Sequence, residues 1–501
     1  MKKTERRSPA LPCNATTSAP RTVMVLALSM VMAACTKPSD NSTLALGLVQ
    51  SSSVVADIAA AFYARPEVAT IDQKSTNSKE PLLTGTVLAQ NPLIVRGQYL
   101  ARAGDCIGCH TSPDGLAFAG GLPLQTPFGT IVSTNITPDK ATGIGNYTQA
   151  KFELALRHGL NEAGDNLYPA MPYANYARLT DDDITAMYAY FLQAVPPVKQ
   201  ENVKTNLPWP LSMRSLLKGW NWLYLPKQPY ARDVGQSAEW NRGAYLVQGL
   251  GHCGACHTPR GLAGAEKGGS AFLSGALIDG WYAQPLRSDS SYANDKPRPG
   301  LSSWTETDIT DFLKTGRSQH TAAFGSMADV VSNSTQHMTA EDLLAIARYL
   351  KSIGTDTNPS NNRATPLVVG AAIDSGDSTT VALQAGDVSA RGAMIYLDNC
   401  GACHRSNGRG ASRTFPALAH SSVVAATDAT SLIRIVLQGA AMPYTIQAPS
   451  ALAMPRFDWR LNDENVADVL SFVRASWGNT AAPITPASVA KVRAEIIKST
   501  R

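Results

Sequence analysis

Three stretches of the chain step their apolar residues at intervals of three and four behind a polar cap: "LTDDDITAMYAYFLQAV", "MTAEDLLAIARYLKSI" and "LNDENVADVLSFVRASW". Ile184, Met187, Tyr188 and Phe191 recur on one face of the first, and Leu343, Ile346, Ala347 and Leu350 on one face of the second. That period predicts amphipathic helices turned toward a core. Thr180 with Asp183, and Thr339 with Asp342, fit the capping box, and Asn462 is a good N-cap. Three shorter helix-like segments open on Arg-Gly: "RGQYLARAGDC", "RGAYLVQGLGHC" and "RGAMIYLDNC". Gly97, Gly243 and Gly392 would let each opening helix cross its closing helix at close range. Tyr188, Tyr349 and Phe472 are expected at those crossings. No strand or parallel-crossover pattern is visible, so the fold class is all-α.

Each opening segment runs into the same pentapeptide pattern, giving Cys106-Cys109-His110, Cys253-Cys256-His257 and Cys400-Cys403-His404. From His110 to His257 is 147 residues, and from His257 to His404 is again 147. A chain of 501 residues needs more than one core, and this repeat supplies three. Domains are expected at about 90–200, 236–354 and 386–478. A Trp/Pro-rich connection (201–235) joins the first two. A Ser/Thr/Asn-rich stretch (355–385) reads as a flexible linker, and 479–501 as a tail.

A CxxCH turn admits three chemistries. A thioredoxin-like site would need one CxxC in a βαβ setting, which is not visible here. Zinc needs four ligands, and this motif supplies three with no second pair nearby. Covalent haem uses both thiols for thioether bonds and the adjacent histidine as the proximal iron ligand. A shuffled chain of this composition would hold on the order of 0.002 such motifs. Three evenly spaced copies therefore read as three covalently bound c-type haems on Cys106, Cys109, Cys253, Cys256, Cys400 and Cys403, with His110, His257 and His404 on iron.

The sixth ligand decides between electron transfer and an open catalytic iron. A methionine from the loop before the closing helix is expected, since thioether ligation raises the potential and a closed site discourages oxygen chemistry. Met171 lies nine residues before Thr180, Met327 twelve before Thr339, and Met454 eight before Asn462. Met442 shares a Met-Pro context with Met454 but sits twenty residues before its cap. Met338 touches a cap, and Met187 belongs to an apolar face. His158, His320, His337 and His420 are the histidine rivals, for which plain structural roles suffice. Pro172 and Pro455 would fix the chain beside the ligands.

The formal charge of +5 is concentrated at the start. Lys2, Lys3, Arg6, Arg7 and Arg21 against Glu5 put +4 into the first 34 residues, leaving +1 elsewhere. That balance excludes nucleic acid as a partner. The basic start is followed by "TVMVLALSMVMAAC", which has the layout of a secretory signal over 1–34. Its small residues before Cys35 resemble a lipoprotein cleavage box, with Cys35 the candidate lipidated residue. Residues 35–89 form a small, polar leader expected to be poorly ordered. In the connection, Trp209, Trp220, Trp222 and Tyr224 beside Arg214, Lys218 and Lys227 suit packing between domains, or a membrane-interface or partner surface.

Taken together, "GDCIGCHT", "FAGGLPLQTPFGTIVSTNITPD", "LYPAMPYANYARLTDDDITAMYAYF", "EWNRGAYLVQGLGHCGACHTPRG", "FGSMADVV", "CGACHRSNGRG" and "MPRFDWRLNDENVADVLSFVRASWGN" resemble the triple-haem cytochrome c subunit of bacterial membrane-bound dehydrogenases for alcohol, gluconate and fructose. The likeness runs over about 90–480. It implies three tandem class-I-like cytochrome c domains and Met171, Met327 and Met454 as distal ligands. It also implies a flavin- or PQQ-containing catalytic subunit as partner, and ubiquinone or a terminal oxidase as acceptor, at the periplasmic face of the cell membrane. The leader is longer than the family's usual entry, and "MAAC" points to a lipid anchor where many relatives rely on a signal peptide and peripheral segments. The alternatives are a haem peroxidase or oxidase with one open iron, and a free-standing electron carrier. No nucleophile, acid–base pair or nucleotide loop argues for catalysis on this chain.

Overall fold

Each closing helix begins directly behind its expected cap. Asp181–Gln193, Ala340–Ser352 and Asp463–Ala475 start behind Thr180, Thr339 and Asn462, whose side chains accept from the backbone N–H three residues on. The computed structural model describes residues 91–287, 300–301, 303–354 and 377–499, all within one compact unit. The leader, Cys13, Cys35 and most of the linker lie outside the described residues.

The opening helices are Pro92–Ala103, Ala238–Tyr245 and the shorter Ala393–Asn399. Each crosses its closing helix at the expected glycine. A Cβ on Gly97 would stand 2.0 Å from the Ala186 carbonyl oxygen, one on Gly243 2.0 Å from that of Ala345, and one on Gly392 2.4 Å from that of Asp468. No side chain fits there, so glycine is what lets the helices touch. The aromatic residues at the crossings are Tyr190, Tyr349 and Phe472. Tyr190 replaces the expected Tyr188, which instead donates from its hydroxyl to the Tyr147 carbonyl and packs on Phe152. The three crossing residues share an offset of ten from their caps.

The fold is mostly helical. Among the described residues its strands are three short antiparallel ladders: Pro123–Thr126 with Gly129–Val132, Ala276–Ile278 with Trp281–Ala283, and Ala440–Ala441 with Ala453–Met454. The first two repeats share one apolar core, running from Ile94 and Leu100 through Met187 and Phe191 to Leu246 and Leu350. The third has its own, around Tyr396, Leu437, Val466 and Trp477. Two elements outside the expected 386–478 complete it. Ser378–Gln384, inside the stretch expected as linker, is a helix burying Leu383, and Pro486–Ser499, in the tail, buries Val489 and Val492. A seven-residue helix with one buried leucine has too little periodicity to show through a Ser/Thr-rich composition.

The capping boxes at Thr180 and Thr339 are half formed, and the other half explains how the first two repeats join. The Asp183 carboxylate turns away from its cap to Arg96, and that of Asp342 to Arg242. The backbone N–H of Thr180 donates instead to the hydroxyl of Tyr245, and that of Thr339 to Tyr99, each tyrosine belonging to the other repeat. The third repeat has Met394 and Asn465 at these places. It docks on the second by other means: Ser431 on the Tyr282 backbone, Arg434 over the Trp281 ring, and Arg413 paired with Asp311.

Candidate haem sites

In all three motifs the pentapeptide closes one helical turn. The N–H of His110 reaches the Cys106 carbonyl at 2.9 Å, that of His257 the Cys253 carbonyl at 3.0 Å, and that of His404 the Cys400 carbonyl at 3.0 Å. One turn thus brings the first cysteine and the histidine onto a common side, as a single flat ligand requires. Each histidine carbonyl is held in turn by a glycine N–H, from Gly120 at 2.7 Å, Gly275 at 2.8 Å and Gly410 at 3.0 Å. All three glycines have positive φ, a conformation that other residues adopt at a cost.

The imidazoles are held alike. Nδ1 of His110 lies 2.7 Å from the Thr134 carbonyl oxygen, that of His257 2.7 Å from Gln284, and that of His404 2.9 Å from Pro416. A carbonyl only accepts, so Nδ1 carries the proton and Nε2 presents its lone pair. Burial lowers the pKa of all three rings, keeping them neutral, with the carbonyl bond partly opposing it. Burial likewise pushes the thiols of Cys109, Cys253 and Cys400 up to about 12 and Cys256 to about 11. Cys109, Cys253, Cys256, Cys400 and Cys403 carry free thiols. The neutral thiols of Cys109, Cys253, Cys256 and Cys400 beside neutral imidazoles with Nε2 open fit a covalently attached haem. No group of three or more His, Cys, Asp or Glu side chains suited to a metal ion occurs among the described residues.

The first two motifs are neighbours. His252, just before Cys253, places Nε2 3.2 Å from the Gly104 carbonyl and packs edge-on against Tyr176, whose hydroxyl donates to the same carbonyl at 3.1 Å. Cys256 of the second motif also contributes to the raised pKa of Cys109 in the first, after burial and Asp105.

The expected distal methionines are all half-buried. Met171 packs on the shared core beside Tyr173. Met327 stands in the first turn of Ser326–Asn333, a helix opened by Gly325 against the Trp281 ring. Met454 lies in the last ladder and packs on the third core. Among the rivals, Met187 and Met338 are core residues, 1% and 3% exposed. Met442 remains close to Met454, on the opposite side of the same ladder, where its N–H donates to the Leu452 carbonyl.

The rival histidines have other surroundings. His320 stacks on Trp304 with ring centroids 4.7 Å apart and lies 3.2 Å from Asp308. His337 sits beside Arg102 and Lys314, and burial with these two cations lowers its pKa to about 4. His158 and His420 are exposed. Sequence reasoning missed the supports: Thr134, Gln284 and Pro416, together with Gly120, Gly275 and Gly410. The carbonyls follow their histidines by 24, 27 and 12 residues, so no fixed spacing marks them.

In the Trp-rich connection one side of the helix Leu217–Tyr224 is anchored. Trp220 donates to the Ala263 carbonyl and packs on Tyr173, whose hydroxyl reaches Asn221. Arg214 lies over the Tyr168 ring and donates to the Asn166 carbonyl. The helix exposes Trp222 (75%) and Leu223 (62%), and Trp209 (79%), earlier in the connection, is exposed as well. No helix among the described residues is long and apolar enough to cross a membrane.

Motif turns with a tautomer-fixed histidine and neutral thiols, crossed by a glycine-notched helix pair, define a c-type cytochrome. The cytochrome c family model matches residues 94–194 and 389–477. The chain is 49% identical to a gluconate 2-dehydrogenase cytochrome c subunit from Pantoea cypripedii, over 81% of this chain and 90% of that one. It is 47% identical to the cytochrome c subunit of a quinone alcohol dehydrogenase from Gluconobacter oxydans, over 80% and 82%. It is 37% identical to a fructose dehydrogenase cytochrome subunit from Gluconobacter japonicus, over 81% and 84%. The chain belongs to this family of dehydrogenase cytochrome c subunits. It is an electron-transfer subunit of a dehydrogenase complex, carries covalently bound haem c, and works with a catalytic partner subunit.

Proposed function

We propose that the chain folds as three tandem class-I-like cytochrome c domains, about 90–200, 236–354 and 386–478, each holding one haem c. The observation that carries this reading is the threefold Nδ1–carbonyl bond, at His110, His257 and His404. The middle repeat lies outside the matched stretches, yet it shares this bond, the glycine crossing and the cap with its neighbours. In each domain the two cysteines would hold the haem, the histidine the proximal face, and Met171, Met327 or Met454 the distal face. When bound, each haem supplies a one-electron iron couple. The chain's own groups keep the proximal imidazole neutral and oriented through its Nδ1–carbonyl bond.

The electrons would come from a flavin- or PQQ-containing catalytic subunit and leave for ubiquinone or a terminal oxidase at the periplasmic face of a bacterial membrane. The names of the relatives support oxidation of gluconate, alcohol or fructose by the partner, and a quinone as acceptor. Membrane attachment is supported by the exposed Trp209, Trp222 and Leu223 beside exposed Lys218 and Lys227, and by Cys35 as a lipidation candidate. The test is purification from membranes in mild detergent, followed by addition of gluconate, ethanol or fructose. A co-purifying catalytic subunit and substrate-dependent reduction of the c-type bands are expected. Recovery of the cytochrome alone from the soluble fraction, reduced by none of these, would contradict the reading.

A further inference from the structure

Thr180 ends the segment that carries Met171, and Thr339 ends the one that carries Met327 in the helix Ser326–Asn333. Both caps are completed from the opposite repeat. The Tyr245 hydroxyl donates to Oδ2 of Asp183 at 2.5 Å and accepts the Thr180 N–H at 3.2 Å. The Tyr99 hydroxyl donates to Oδ2 of Asp342 at 2.5 Å and accepts the Thr339 N–H at 3.3 Å. In a full capping box the acid three residues on would take that N–H, as Asp308 does for Thr305. Asp183 and Asp342 are held by Arg96 and Arg242, so the tyrosines fill the place they leave.

The tyrosines' own helices matter as much. Tyr99 lies in the helix that leads to Cys106, and Tyr245 in the one that leads, through the turn Leu246–Leu250, to Cys253. Each hydroxyl therefore links the attachment motif of one repeat to the distal segment of the other. Removing either hydroxyl would take the partner from a cap N–H while the ring stays packed; at Asp183 it would also take the tyrosine partner from the buried Oδ2, whereas Oδ2 of Asp342 keeps Arg242. The third repeat carries Met394, half exposed, and Asn465 at the matching positions.

We propose that Tyr99 and Tyr245 are cross-repeat positioning residues: Tyr245 holds the Met171 segment and Tyr99 holds the Met327 segment, so that the first two haem sites are set as a coupled pair and the third independently. This rests on Met171 and Met327 being distal ligands.

The test uses the full-length holoprotein. Met171→His and Met327→His first assign the methionine–iron charge-transfer absorbance and the potential of each site. Tyr245→Phe should then weaken the signal assigned to Met171, lower that site's potential and speed its cyanide binding about tenfold, leaving the Met327 site unchanged. Tyr99→Phe should do the reverse, and neither should touch the third site. Tyr230→Phe removes a hydroxyl bonded to Asn241 near Tyr245 and should alter none of them. The proposal is overturned if each phenylalanine variant disturbs the haem of its own repeat, disturbs both alike, or disturbs neither. Should one variant fail to mature, the other decides alone, because the location of its effect is the readout. Unchanged spectra in both histidine variants would refute the ligand reading itself, and the proposal with it.

Discussion

The hydroxyl of Tyr99 and the carboxylate of Asp342, 243 residues apart, share a 2.5 Å hydrogen bond across the boundary between the first two repeats. The same carboxylate takes Arg242 through two bonds of 2.7 Å. Asp342 is buried, while Arg242 keeps about a third of its side chain in solvent. Breaking a fully buried pair costs about 3–5 kcal/mol, and partial exposure reduces that. Asp342→Ala should destabilise the holoprotein by roughly 2–3 kcal/mol and Tyr99→Phe by about 1 kcal/mol in denaturant unfolding. Losses below about 0.5 kcal/mol in both would show that the bridge contributes little.

Two glycines of opposite surroundings give changes of opposite sign. Gly243→Ala would put a methyl 2.0 Å from the Ala345 carbonyl oxygen, forcing the crossed helices apart. Overpacking of this kind costs about 3 kcal/mol, and lower haem incorporation should accompany it. Gly219, in the helix Leu217–Tyr224, faces open space: a methyl placed there would have no neighbouring atom within 4 Å. Gly219→Ala should raise stability by about 0.5–1 kcal/mol through helix propensity. Thermal unfolding of both variants checks the contrast.

His337 gives the chain a defined acid sensitivity. Burial, reinforced by Arg102 and Lys314, lowers its pKa from 6.5 to about 4. Between those values the unfolded chain binds the proton and the folded one does not. Stability is therefore lost as pH falls below about 6.5, and the loss levels off below about 4. The contribution by pH 5 is about 2 kcal/mol. His337→Gln should lose less stability than the parent between pH 7.5 and pH 5, by that amount. Parallel profiles for the two proteins would contradict the assignment.

The legible parts of the molecule are those written in short local patterns. The CxxCH turns, the caps at Thr180, Thr339 and Asn462, and the glycine crossings each occupy a few adjacent residues whose chemistry is specific. The supports of the imidazoles are not legible, because backbone carbonyls carry no residue signature and their loops differ in length. Tyr188 and Tyr190 stand about 200° apart on the helix, but apolar residues flank both, and grouping Tyr188 with Ile184 and Phe191 favours the wrong one. The offset of ten from the cap, shared with Tyr349 and Phe472, separates them only once the crossings are seen. Asp183 and Asp342 fit a capping box locally, and a long-range arginine and tyrosine claim them. Tertiary partners override a correct local rule.

Each of the three CxxCH motifs holds its own haem in the proposed function of this chain. Intact-mass measurement of the purified holoprotein under denaturing conditions tests it most directly. The polypeptide should carry three covalently attached haems, falling to two when Cys253 and Cys256 are both replaced by alanine. A mass corresponding to two haems or fewer in the unmodified protein, or no change on losing those two thiols, would contradict it.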